Sequence, residues 1–115
     1  MRLSPSAILA WPLAAFFLFG AYGNAFISPE YAAAYRRWGY PDWFPYLTAA
    51  LELTAAVLLV RGPSRPYGAG LGAAIMAAAT ATTLVNRDYA HTAAPVAVLL
   101  VSLVVLALAA RRATA

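Results

Sequence analysis

Residues 43–60 read WFPYLTAALELTAAVLLV, an apolar run broken by a single carboxylate, Glu52, near its middle. A run of this length suffices for a membrane-crossing helix once flanking residues and tilt are allowed for. Glu52 then sits near the bilayer midplane, where an ionisable group is costly and marks a functional site. At about 100° per residue, Pro45, Thr48, Ala49, Ala55, Ala56 and Leu59 share its helical face. Leu47, Leu51, Leu53, Val57 and Leu58 fill the remainder, with Ala50 and Thr54 among them. Small residues around the carboxylate and bulky aliphatics opposite predict that Glu52 packs against other helices and not against lipid.

The rest of the chain shares this character. It has 115 residues, 63% hydrophobic and 10% charged, where a soluble domain is about half apolar and about a quarter charged. Its mean hydropathy is +0.71. The expectation is an all-α integral membrane protein forming one domain. Cysteine is absent, which excludes disulfides, thiolate metal sites and thiol redox chemistry within the chain. The net charge of +4 comes from eight arginines and no lysine. These arginines flank apolar runs, so they are read as setting membrane topology and not as contacting nucleic acid.

Outward from 43–60, four spans are expected, at about 8–27, 43–61, 67–85 and 93–110. The first follows Arg2, and a cleaved signal peptide is the competing reading. The run exceeds the usual signal h-region of about 7–15 residues and is followed by further runs of membrane length, which favours a retained span. Pro12 is expected in its opening turns, and Gly20 and Gly23 permit close helix approach or a bend. Residues 28–42, SPEYAAAYRRWGYPD, interleave aromatics with charges. They are expected to form an outer interfacial segment, helical from Pro29 to about Trp38 with Ser28 as N-cap, its rings at headgroup level and its arginines in water.

The 67–85 span pairs Gly68 with Gly72 and carries a parallel ridge of Ala69, Ala73, Ala77 and Ala81. It is therefore expected to pack most tightly and to be the most buried helix. The 93–110 span is rich in Val and Leu and should face lipid. Arg2, Arg61, Arg65, Arg111 and Arg112 fall on one side, against Arg36, Arg37 and Arg87 on the other. The side with more arginines is cytoplasmic, which gives a four-helix transmembrane bundle with both termini cytoplasmic.

Gly39-Tyr40-Pro41, the aromatic pair Trp43-Phe44, Glu52 about ten residues later and the basic turn after the apolar run carry a resemblance. With the small-residue third span and the Pro-containing fourth, the chain from Phe19 onward resembles the DoxX-like family of small four-helix bacterial membrane proteins. The resemblance implies a four-helix bundle in the bacterial cytoplasmic membrane. It also implies association with redox systems, since the family's namesakes are subunits of a thiosulfate:quinone oxidoreductase.

Glu52 is the candidate acid or base. Burial without a cation at its depth predicts a carboxyl that stays largely protonated at neutral pH, lining a cavity that opens outward beneath the 39–44 turn. Its candidate partners are Asn24, Tyr22, Thr48 or a hydroxyl of the third span. A structural role, fixing helix register by hydrogen bonding, is the competing reading. Asn24 and Asn86, at the outer ends of two spans, either cap helices or bind a ligand. Asp88 and His91 have the spacing of a proton relay; no metal site is assigned. Tyr40 and Trp43, with Phe44, either wall a ring-shaped ligand or belong to an aromatic belt.

Two functions follow. One is a subunit of a membrane redox system that binds a lipophile such as a quinone at its outer side, alongside a redox partner protein or a second copy of itself. The other is a stand-alone enzyme using Glu52 on a hydrophobic substrate, of isomerase or cyclase type, which needs a second polar group converging on Glu52 and an enclosed pocket above it.

Overall fold

The computed structural model describes residues 4–114, with side chains for 4–111. Arg2 and the side chain of Arg112, both used in the arginine count, lie outside the described residues. The described residues form five helices, α1 (Pro5–Ala25), α2 (Pro29–Arg37), α3 (Phe44–Val60), α4 (Arg65–Val85) and α5 (Ala93–Thr114), with a 3-10 turn, Tyr89–His91, before α5. Pro5, Pro29, Pro45, Pro66 and Pro95 each fall within the first three residues of a helix. There the missing N–H has no intrahelical acceptor to lose. Ser4 and Ser28 cap α1 and α2, accepting hydrogen bonds from the Ala7 and Tyr31 amides. Because α1 begins at Pro5, Pro12 lies in its interior and not in its opening turn. It therefore leaves the Ile8 carbonyl without its usual amide donor.

α1, α4 and the stretch Tyr89–Arg111 are long and apolar enough to cross a membrane; α3, largely apolar, is shorter at 17 residues. α1 packs along α3, α3 along α4, α4 along α5, and α5 returns to α1. The core they enclose is made mostly of small side chains, Ala10, Ala14, Ala55, Ala56 and Ala69, with Phe17, Leu59, Met76 and Val105 filling between them. Such helices are held by contact at short range, since an apolar face gains little by leaving lipid.

The glycines of α4 show how short. A Cβ on Gly68 would stand 2.8 Å from the Leu59 amide nitrogen, and one on Gly72 would stand 2.7 Å from the Phe17 ring. Gly68 and Gly72 are thus where α4 meets α3 and α1. The alanine ridge stops at Ala73, however, because Ala77 and Ala81 face outward. α4 is accordingly not the most buried helix; α1 places a larger share of its apolar stretch inside. α5 buries Ser102, Val105 and Ala109 and exposes Leu100, Val101, Leu103 and Val104.

At one end of the molecule, Arg65 lies buried against the end of α3. Its guanidinium donates to the Leu59 carbonyl at 2.9 Å, the Val60 carbonyl at 3.4 Å and Ser6 Oγ at 3.3 Å. These carbonyls have no intrahelical donor, and a cation there complements the helix dipole. The opposite end is built by two left-handed backbone positions. Gly39, at φ +90°, stops α2, and the Tyr40 amide reaches back to the Tyr35 carbonyl. Arg87, at φ 56°, stops α4, and the Asp88 amide reaches back to the Thr83 carbonyl at 2.7 Å. Both close the helix by the bond pattern that a left-handed residue allows. Tyr40 and Asp88 are thereby folded over the α2 end of the molecule.

Candidate functional site

Glu52 is 3% exposed. The face drawn around it from the sequence is the packed one: Pro45, Ala49, Ala55, Ala56 and Leu59 are buried and Thr48 is half-buried. The carboxyl meets an amide. Asn24 Nδ2 donates to Glu52 Oε1 at 2.7 Å and to the Gly20 carbonyl at 3.0 Å. Gly20 and Asn24 are one helical turn apart on α1, so they face α3 together. A Cβ on Gly20 would collide with Glu52 Oε2, so this glycine lets the carboxyl lie against the α1 backbone.

The other side of the Asn24 amide is held from α2. Tyr35 Oη donates to Asn24 Oδ1 at 2.7 Å. Its ring is packed among Trp38, Tyr40 and Phe44, with centroids 5.5, 5.9 and 6.1 Å away. Burial raises the phenol above its ordinary pKa of 10.0, the neighbouring Thr48 hydroxyl acting in the opposite direction and the Glu52 charge adding to the rise. Tyr35 is thus a protonated donor across the physiological range. A chain of hydrogen bonds runs from the half-buried phenol through the amide to the buried carboxyl.

A second cluster closes the rim. Asp88 accepts from the Trp38 indole at 3.1 Å, pairs with His91 Nδ1 at 2.8 Å and lies 3.8 Å from an Arg37 guanidinium nitrogen. The His91 hydrogen bond, helped by Trp38 and by the charges of His91 and Arg37, holds Asp88 below its ordinary 3.8 against the opposing effect of burial. Tyr31 and Trp38 bring their ring edges to His91 at 5.8 and 6.0 Å. Tyr40 Oη hydrogen-bonds Thr82 on α4, and its ring stacks on Phe44 at 4.1 Å. The α2 segment is thus fastened to α1 through Tyr35 and to the α4–α5 connection through Arg37 and Trp38.

Among the residues singled out by the sequence, the structure joins Glu52 to Asn24 and gathers Tyr40, Asp88 and His91 above them. Tyr22, Trp43 and Asn86 stand apart. Tyr22 is 66% exposed and leans on Phe26, because it is two residues, about 200° of helix, away from Asn24. Trp43 is exposed, ahead of the first turn of α3. Asn86 is exposed and donates to the Thr82 carbonyl at 2.8 Å, ending α4. Thr48 binds the Phe44 carbonyl and not Glu52.

Beneath the 39–44 turn, where a cavity was expected, the rings of Tyr35, Tyr40 and Phe44 pack on one another. An apolar groove of about 400 Å³ opens on the flank of α1 and α3, between Leu18, Ala21, Tyr22, Ala25, Ala49, Ala50 and Leu53. The close approach expected at Gly20 and Gly23 is found at Gly20 alone. Two residues of consequence escaped the sequence reading. Tyr35 was one aromatic among several in a connecting segment. Arg65 was counted for topology, although it is a buried helix cap.

The chemistry available is that of a neutral or charged carboxyl in a site without a cation. The ion pairs among the described residues, Arg36–Asp42, Arg37–Asp88 and His91–Asp88, all lie at the α2 end. Such a carboxyl can exchange a proton or hydrogen-bond an uncharged polar group. Compared with known proteins, residues 8–105 match the family model described as the DoxX-like family. No curated protein and no solved structure matches the chain.

Proposed function

The chain belongs to the DoxX-like family, and from that premise we propose that it is a four-span bundle of the bacterial cytoplasmic membrane that binds a lipophilic carbonyl compound of quinone type. Both termini face the cytoplasm in this reading, α2 lies at the outer interface, and the protein serves as a subunit of a membrane redox system. The observation that carries the reading is the Tyr35–Asn24–Glu52 chain of hydrogen bonds. A buried carboxyl joined to neutral donors is costly to keep in a span without use. It suits a ligand whose oxygen atoms take up protons on reduction. The apolar groove along the same α1–α3 seam offers an isoprenoid tail a path from the lipid.

A photoactivatable quinone with a short isoprenoid tail tests this on the purified full-length protein. Labelling is expected on α1 and α3 peptides, competed by unlabelled quinone and weakened at least about tenfold by Glu52→Leu. Labelling that is indifferent to competitor and to Glu52 would overturn it. The stand-alone enzyme reading gains from Asn24, the second polar group converging on Glu52. It is disfavoured by the packed rings of Tyr35, Tyr40 and Phe44 where an enclosed pocket should lie. An acid–base enzyme would lose all turnover in Glu52→Gln, whereas a binding subunit keeps most of its affinity.

A further inference from the structure

We propose that Tyr35 is a positioning residue for Glu52, acting through Asn24 to keep Oε1 an acceptor and to leave Oε2 as the oxygen that exchanges a proton. The proposal deepens the reading of Glu52 as the ligand-facing group and rests on it only for its biological purpose. A carboxamide has two N–H donors and one carbonyl acceptor. Both donors of Asn24 are committed, one to the Gly20 carbonyl at 3.0 Å and one to Glu52 Oε1 at 2.7 Å. The carbonyl takes the Tyr35 hydroxyl at 2.7 Å. Turning the amide over would set Asn24 Oδ1 against the Gly20 carbonyl, oxygen facing oxygen, and would deprive the phenol of its acceptor. Tyr35 therefore fixes the amide from outside the α1–α3 seam.

This orientation determines the protonation geometry of the acid. Facing an N–H, Oε1 accepts whether the carboxyl is charged or neutral, so a proton on Glu52 belongs to Oε2. Oε2 lies against Gly20, in space that any side chain there would take. Without the phenol, only the Gly20 carbonyl still opposes the inverted amide, and that arrangement requires a proton on Oε1. Tyr35 thus couples an outer, aromatic segment to which proton-binding state the buried acid can adopt. Its neighbours across the site are neutral groups: Asn24 and Gly20 of α1, Thr48 of α3, and Tyr31 and Tyr40 around the phenol itself. At the rim, Asp88 binds Trp38, His91 and Arg37, and His91 meets the Tyr31 and Trp38 rings; none of them contacts Glu52.

Infrared spectroscopy of the purified full-length protein tests the proposal, with the Glu52 carboxyl band assigned by its loss in Glu52→Gln and followed through a pH titration. Tyr35→Phe is expected to move the midpoint of that band by about half a pH unit or more, a change of about threefold in proton affinity. Asn24→Ala is expected to move it as well, and Tyr35→Phe added to Asn24→Ala should then do nothing further. Tyr46→Phe, at an exposed ring of α3, should leave the midpoint in place. A fluorinated tyrosine at position 35, which keeps the ring's shape and strengthens its hydroxyl as a donor, should shift the midpoint even if Tyr35→Phe does not fold. An unmoved midpoint in Tyr35→Phe or in the fluorinated protein, or a full Tyr35 effect persisting in the Asn24→Ala background, would refute it. No ligand takes part, so failure of quinone labelling would leave this result standing on its own.

Discussion

A methyl group added at Gly20 collides with the Glu52 carboxyl, while one added at Gly23, three residues on, meets nothing within 4 Å. Gly20→Ala should therefore displace a hydrogen-bonded buried group and destabilise the protein by about 1–3 kcal/mol, read as a lower midpoint of thermal unfolding in detergent. Gly23→Ala should be neutral or slightly stabilising, since alanine is the better helix former by up to about 1 kcal/mol. Equal losses at both positions would mean that the Gly20–Glu52 contact does not hold the seam. At Glu52 itself, Gln can still accept from Asn24 at its carbonyl oxygen, but Leu leaves a buried N–H without a partner. Glu52→Leu is expected to cost about 1–3 kcal/mol more than Glu52→Gln. The burial of Glu52 was legible in the sequence because a helix has one period, and that period put Thr48, Ala49, Ala55 and Ala56 around it. Asn24 was legible only as one of several neutral partners. Choosing it over Tyr22 required the rotation of α1 about its own axis, which Gly20 sets.

Helix α2 shows what local signals can and cannot convey. Ser28, Pro29 and Glu30 at its start, Arg36 and Arg37 at its end and Gly39 beyond suit a short helix at every position, so its existence and limits could be read in advance. Where its aromatics point could not, because Tyr35 and Trp38 are placed by partners on α1 and on the α4–α5 connection. The Asp88 contacts fasten that placement, and their pH dependence follows from the direction of the Asp88 shift. A carboxyl held below its ordinary 3.8 in the folded protein contributes stability above that value and loses it as pH falls through the lower, folded pKa. With Trp11 and Trp43 replaced by Phe, the fluorescence of Trp38 should thus stay constant from neutral pH down to about 4 and change below it. Asp88→Asn should show the altered signal already at neutral pH. A flat response to both would mean that the rim contacts do not restrain α2. In α4 the small-residue pattern forecast the Gly68 and Gly72 contacts correctly but overstated the helix's burial, since a ridge is buried only as far as a neighbour follows it. Gly72→Leu, forced into the Phe17 ring, should lower the unfolding midpoint far more than Leu103→Ala on the exposed face of α5.

Across the whole molecule the polar residues are divided by end. Glu30, Asp42, Asp88 and His91 stand with Arg36, Arg37 and Arg87 at the α2 end, while Arg61, Arg65 and Arg111 stand at the other. Arginines, more than acids, govern which end stays in the cytoplasm, and with Arg2 and Arg112 included they number five against three. The five are not equivalent. Arg65 spends its guanidinium on the carbonyls that end α3 and on Ser6, so its replacement loses a helix cap as well as a topological charge. Arg61 is exposed and accepts no such task in the described contacts. Reporter fusions at Ala115 and beside Ala90 are accordingly expected on opposite sides of the membrane, the Ala115 fusion in the cytoplasm. Replacing Arg2, Arg61 and Arg112 with Gln leaves two arginines against three and should mix or invert that arrangement without lowering the stability of correctly inserted protein. Arg65→Gln should do the reverse: the orientation persists, and the unfolding midpoint falls because the α3 carbonyls lose their donor inside the bundle. Both fusions reporting the same side would mean that α5 does not cross the membrane, which would exclude the four-span arrangement. An unchanged midpoint in Arg65→Gln would show that the end of α3 does not depend on this buried cation.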